Sequence, residues 1–161
     1  MMESLLEEDL TASVVFRRRP IDIPGDMRPA WRIAFIVMML KLCCRGGKSS
    51  IRRLHVLNWC GRSAEAGNLL RRAVSERLSP GAVLVRIEPS LARAVDFALG
   101  AKLLDRDGKD RVKLTKGGHE LADEVLADSE VLVREKEWAA ALGQTVTEGF
   151  VDNIFSGRGG S

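Results

Sequence analysis

The run from Pro29 to Cys44 constrains this chain more than any other feature. From Trp31 to Leu40 only Arg32 is charged, and the apolar residues surround a helix instead of marking one face. A helix of that kind has to be covered from several sides, so the rest of the chain must wrap it. Its most apolar part, Ile33 to Leu40, is eight residues long and then meets Lys41. A membrane span needs about 20 such residues. The expectation is therefore a central core helix in a chain of 161 residues, of which 45% are hydrophobic. A chain of this length buries about 70% of its unfolded surface and needs no staple.

The flanking segments suggest four parts. Residues 1–28 read as an extended arm, because Pro20, Pro24 and Pro29 with Gly25 forbid a continuous helix. Its apolar teeth, Val14, Val15 and Phe16, either dock on another chain or lie back on their own domain. After the central helix, Arg45-Gly46-Gly47 supplies a stop. Ser49 or Ser50 then caps a second helix over about 50–60, with Ile51, Leu54 and Leu57 inward and Arg52, Arg53, His55 and Asn58 toward the other faces. Ser63 caps a third helix, which Pro80-Gly81 ends. Residues 82–88 alternate as a strand does. Glu88-Pro89 opens a fourth helix with Leu91, Ala94, Val95, Ala98 and Leu99 on one side. Leu103 to Thr115 reads as a β-hairpin around Asp107-Gly108. Thr115 caps a helix starting near Gly118. Asp128-Ser129 restarts a helix that runs to about Ala141, and 146–155 adds a short last one. The division is an arm (1–28), a core (29–118), a C-terminal helical extension (119–155) and a flexible tail (156–161). The fold class is mostly α with a small β-hairpin, an α+β chain.

The formal charge of +3 conceals a strong asymmetry. Residues 28–118 hold 19 basic and 7 acidic side chains, a net of +12. The preceding 27 residues carry −3 and the last 43 carry −6. The basic middle is suited to an anionic surface, or else is an unevenly solvated one. Aromatics are 5% and tyrosine is absent, which argues against a stacking platform for single-stranded nucleic acid.

Chemistry-bearing patterns are sparse. Cys43, Cys44 and Cys60 have no Cys-x-x-Cys spacing, and with His55 and His119 they do not make a zinc pattern. They read as buried reduced thiols, and with the acidic start from Met1 to Asp9, unlike a signal peptide, they point to the cytoplasm. Gly47-Lys48-Ser49 lacks the earlier glycine of a phosphate loop and follows a helix rather than a strand. His55 and His119 have no patterned nucleophile, and Asp123-Glu124 reads as solvation. The chain is expected to be no enzyme and to hold no cofactor and no metal.

The stretch from Ser90 to Leu121 resembles the second helix, wing and Leu-Thr-x-x-Gly helix start of winged helix-turn-helix proteins, the last at Leu114-Thr115 and Gly118. A narrower resemblance rests on Trp31-Arg32-Ile33-Ala34-Phe35, Arg45-Gly46-Gly47-Lys48-Ser49-Ser50, Leu54-His55-Val56-Leu57-Asn58-Trp59 and the acidic Ala127-Asp128-Ser129-Glu130-Val131-Leu132. These are similar to the middle component of bacterial ABC-three-component anti-phage defence systems, Lamassu among them. The resemblance implies a non-enzymatic adaptor in a hetero-oligomer with an SMC- or ABC-type ATPase and an effector, often a nuclease, and no membrane. The alternative is a winged-helix transcriptional regulator.

By the winged-helix rule the outward face of the fourth helix is Ala92, Arg93, Asp96 and Phe97. Base readout favours Arg, Lys, Asn or Gln, so only Arg93 serves it. The wing is richer, with Arg106, Lys109, Arg111 and Lys113, and Lys102 beside it. Arg111 and Lys113 alternate with Val112 and Leu114 and share the solvent face. This set contacts double-stranded DNA or an acidic partner, unless Asp105, Asp107 and Asp110 neutralise it locally. Arg52 and Arg53 add a second basic cluster with Arg71 and Arg72. Leu132, Trp138, Leu142 and Phe150 of the extension are candidates for partner contact alongside the arm, with packing on their own core as the other outcome for Trp138.

Overall fold

α1 (Pro29–Cys43) is followed by strand β1 (Lys48–Ser50), α2 (Ile51–Gly61) and α3 (Ala64–Ser75) in a computed structural model that describes residues 29–75 and 87–156. α4 (Pro89–Gly100) leads into the hairpin β2 (Leu104–Arg106) and β3 (Arg111–Leu114). α5 (Lys116–Ala127), α6 (Val133–Leu142) and α7 (Glu148–Ser156) complete it. Among the described residues this makes a mostly helical α+β fold with one three-stranded antiparallel sheet, ordered β1-β3-β2.

α1 is the hub. Phe35 through Leu40 and Cys43 are all buried, and α2, α4, α5 and α6 pack around them. Trp31 stacks on Phe35 with ring centroids 5.4 Å apart. After α1 the chain reverses through Gly46 and Gly47, whose φ angles of 68° and 67° suit glycine. Ser50 caps α2 by accepting the Arg53 N–H at 3.1 Å. Thr115 caps α5 by accepting the Gly118 N–H at 3.0 Å, so α5 starts at Lys116, before the expected Gly118.

Four expectations need correction. Lys48-Ser49-Ser50 is a strand as well as a cap: Lys48 lies across from Lys113, Ser49 from Val112 and Ser50 from Arg111. Nothing in that tripeptide favours a strand, and β3 supplies the template. Arg53, His55 and Asn58 are buried, not outward, because α2 is covered by α1, α3, α6 and α7. α6 begins at Val133, not at Asp128-Ser129, since Leu132 turns the chain at φ 52° while burying its side chain. Ser156 ends α7 and does not open the tail. Of the strand read at 82–88, Ile87 and Glu88 carry no strand, and the rest lies outside the described residues, as do the arm and residues 157–161.

Gly118 shows how tightly the hairpin meets α5. A Cβ there would collide with the Leu103 carbonyl oxygen, which is backbone and cannot swing aside. Gly118→Ala is expected to lower unfolding free energy by about 1–3 kcal/mol in urea titration. Gly149→Ala, which meets nothing closer than Thr147 Oγ1 at 3.9 Å in α7, should be neutral or stabilising by up to about 1 kcal/mol.

Candidate interaction surface

The sheet presents one basic face. Along β3, Val112 and Leu114 are buried while Arg111 and Lys113 lie on the opposite side. The register sets Lys48 directly across from Lys113, with Asp105 on the other flank. Like charges facing each other across strands repel. Neither lysine has an ion-pair partner among the described residues. Lys109 at the hairpin tip, Lys102 in the α4–β2 loop and Lys116 at the start of α5 are exposed and equally unpaired among the described residues. Arg106 is exposed too, but it lies across from Val112 and so has the parity of the other sheet face. Of the three nearby aspartates only Asp107 forms an ion pair among the described residues, 3.9 Å from Arg111.

Arg111 is exposed, yet it has a charge contact of its own with α7. Its Nη1 is 3.7 Å from Glu148 Oε1 at the start of α7, and Arg53 Nη1 is equally distant from the same oxygen. Ser50 completes the knot: its N–H donates to Oε1 at 2.9 Å and its hydroxyl to Oε2 at 2.6 Å. Burial alone would raise the Glu148 pKa. The Ser50 hydrogen bonds and the two guanidinium charges outweigh it and hold the carboxyl below its usual range. Arg53 also donates to the Cys43 carbonyl at 2.8 Å. Arg53 is thus an interior residue and not part of a partner-binding cluster. Arg52 stays exposed, with its guanidinium 5.6 Å from the Phe155 ring centre. Arg71 and Arg72 are exposed on α3.

A second buried knot joins α1, α2 and the entry to α4. Arg32 donates to Asn58 Oδ1 at 2.7 Å, and Glu88 takes both Arg32 and Arg62. Sequence reading missed both knots. The pairs that tie them across the chain are 26 to 98 residues apart, and no local pattern announces them.

On α4, Ala92, Arg93, Asp96 and Phe97 do point outward. Phe97 is 62% exposed. The extension turns its apolar side chains to its own core. Leu132 and Leu142 are buried, Trp138 is half-buried against Gly61 and Gly67, and Phe150 packs on the core. Leu132 and Leu142 are therefore taken out of any partner surface, because α6 needs them to seal its contact with α1. Val14, Val15 and Phe16 lie outside the described residues.

The reactive side chains are quiet. The three thiols are free and buried, and desolvation pushes Cys43 to about 12 and Cys60 higher still. Burial lowers the His55 pKa, while His119 Nδ1 lies 3.1 Å from Lys41 Nζ. Among the described residues no three or more His, Cys, Asp or Glu side chains gather as a metal site, and no helix is long and apolar enough to cross a membrane. Comparison with protein-family models, with curated proteins and with solved structures found no match.

The Glu148 knot makes a pH prediction. A carboxyl whose folded pKa is depressed stabilises the fold above its ordinary pKa and loses that contribution as pH falls through the folded value. Glu148→Gln should cost about 1–2 kcal/mol at pH 7. The gap from wild type should narrow as pH falls below about 4 and close only where the depressed native carboxyl takes up a proton. Chemical denaturation at both pH values measures it, and a gap that persists at low pH would refute the charge argument.

Proposed function

We propose that this chain is a winged-helix adaptor, a non-enzymatic cytoplasmic subunit of an anti-phage complex of the ABC-three-component kind. In that reading it bridges an SMC- or ABC-type ATPase and an effector, and touches double-stranded DNA through its wing without reading sequence. The sheet face carries the proposal: Lys48 and Lys113 are set side by side, and neither forms an ion pair among the described residues, with a single carboxylate, Asp105, across from Lys113. Lysines of this kind act as point charges on phosphate, positioning a protein on a duplex. The order of helices, hairpin and helix also supports it. The regulator reading is less favoured, because α4 offers Asp96 and Phe97 where base contacts want donors.

Two measurements test the proposal. Lys48→Glu with Lys113→Glu should weaken binding to a random duplex. The slope of log affinity against log salt should fall by about two, one for each phosphate no longer neutralised. Unchanged affinity and slope would remove DNA contact from the wing. For the adaptor role, the tagged full-length chain is co-expressed with the products of the genes beside its own. Recovery of an ATPase in stable complex is expected. A lone chain that binds one operator tightly would favour the regulator instead.

A further inference from the structure

α4 carries two different stripes. Leu91, Ala94, Val95 and Ala98 bury one side of the helix. The other side holds Arg93, Asp96, Phe97, Gly100 and, just past the helix end, Ala101, at the i, i+3, i+4, i+7, i+8 spacing of a second helical face. These five residues line a shallow, mainly apolar depression. Phe97 is its centre and the most exposed large hydrophobic side chain among the described residues. Gly100 has open space around it, so nothing there holds a partner's backbone away.

The charges choose the occupant. Arg93 and Asp96, opposite in sign, lie one turn apart on the N-terminal side of Phe97, and neither has a hydrogen bond or ion pair among the described residues. The pair is neutral overall, so the face offers neither a duplex nor an acidic protein surface a net attraction. A face carrying one positive and one negative residue a turn apart is complementary to itself when inverted. A two-fold axis passing between Arg93 and Asp96 does that inversion, since it makes the same patch meet itself with chain direction reversed. Arg93 of one copy then faces Asp96 of the other, twice. Each Phe97, within a turn of the axis, leaves water against α4 of the other copy.

We infer that the outward face of α4 is a self-association surface, occupied by α4 of a second copy of this chain. The inference does not rest on the adaptor reading or on DNA contact. A single-helix face is smaller than the roughly 800 Å² per partner of a standard interface, so the dimer should be weak, with a dissociation constant in about the micromolar range.

The experiment is sedimentation of the full-length chain over increasing concentration, with thermal melts confirming that each surface variant is folded. Wild type should pass from monomer to dimer, and Phe97→Ser should weaken that at least tenfold. Arg93→Asp alone and Asp96→Arg alone should each remain monomeric, because each brings like charges together. Mixing those two variants should restore a dimer, as should the double exchange Arg93→Asp with Asp96→Arg within one chain. A monomer at every wild-type concentration would overturn the inference. So would a dimer indifferent to Phe97 and to the charge exchanges, which would place the contact elsewhere on the chain.

Discussion

The burial of α1 on every side is the constraint on which the rest depends. Its residues from Phe35 to Leu40 meet no water. Each such side chain contributes roughly 1.5–3 kcal/mol when fully buried. No single neighbour can collect that from a cylinder, so α2, α4, α5 and α6 share it. The hairpin lies where β3 reaches this core from the side, through Val112 and Leu114. Arg32, the charged residue within the helix's otherwise apolar stretch, lies near its start, where Asn58 and Glu88 can meet it.

Two arginines of the strongly basic middle, Arg32 and Arg53, are buried against carboxylates, and the exposed Arg62 and Arg111 reach the same two groups. Glu88 engages Arg32 and Arg62, and Glu148 engages Arg53 and Arg111. A planar guanidinium keeps its charge and several donors when buried, which suits interior pairing. Lys48, Lys102, Lys109 and Lys116 are exposed beside arginines such as Arg52, Arg71 and Arg106, so the positive surface mixes both residue types.

Much of the helical order could be read from the residues, because caps and stops are local. Ser50 and Thr115 sit where their side chains cap the next helix, and Gly46 and Gly47 sit where α1 must end. The hairpin was legible from Asp107-Gly108 and the alternation around it, with Gly108 at φ 107°. What escaped notice was non-local. β1 exists because β3 is beside it, and no preference within Lys-Ser-Ser announces it. Arg53 and Asn58 looked like surface residues by helical spacing, which assumes one wet face, whereas α2 has neighbours on several sides. Leu132 and Leu142, candidates for partner contact as apolar residues of the extension, pack into the chain's own core instead. For the surface itself, alternation correctly put Arg111 and Lys113 on one face. Only the register revealed that Lys48 joins them and that Arg106 does not.

The contact between Glu148 and Ser50 has one more consequence. β1 is an edge strand, and the Ser50 N–H points away from β3, since the neighbouring Ile51 N–H is the one that bonds Asp110. An outward N–H on an edge invites a strand from another molecule. Glu148 occupies that donor, and so α7 acts as a cover strip for the sheet's rim, while the exposed Asp105 and Arg106 guard the other rim on β2. Releasing α7 would therefore bare that backbone donor and uncover Val151 and Ile154 in the same step, joining an adhesive rim to an opened core.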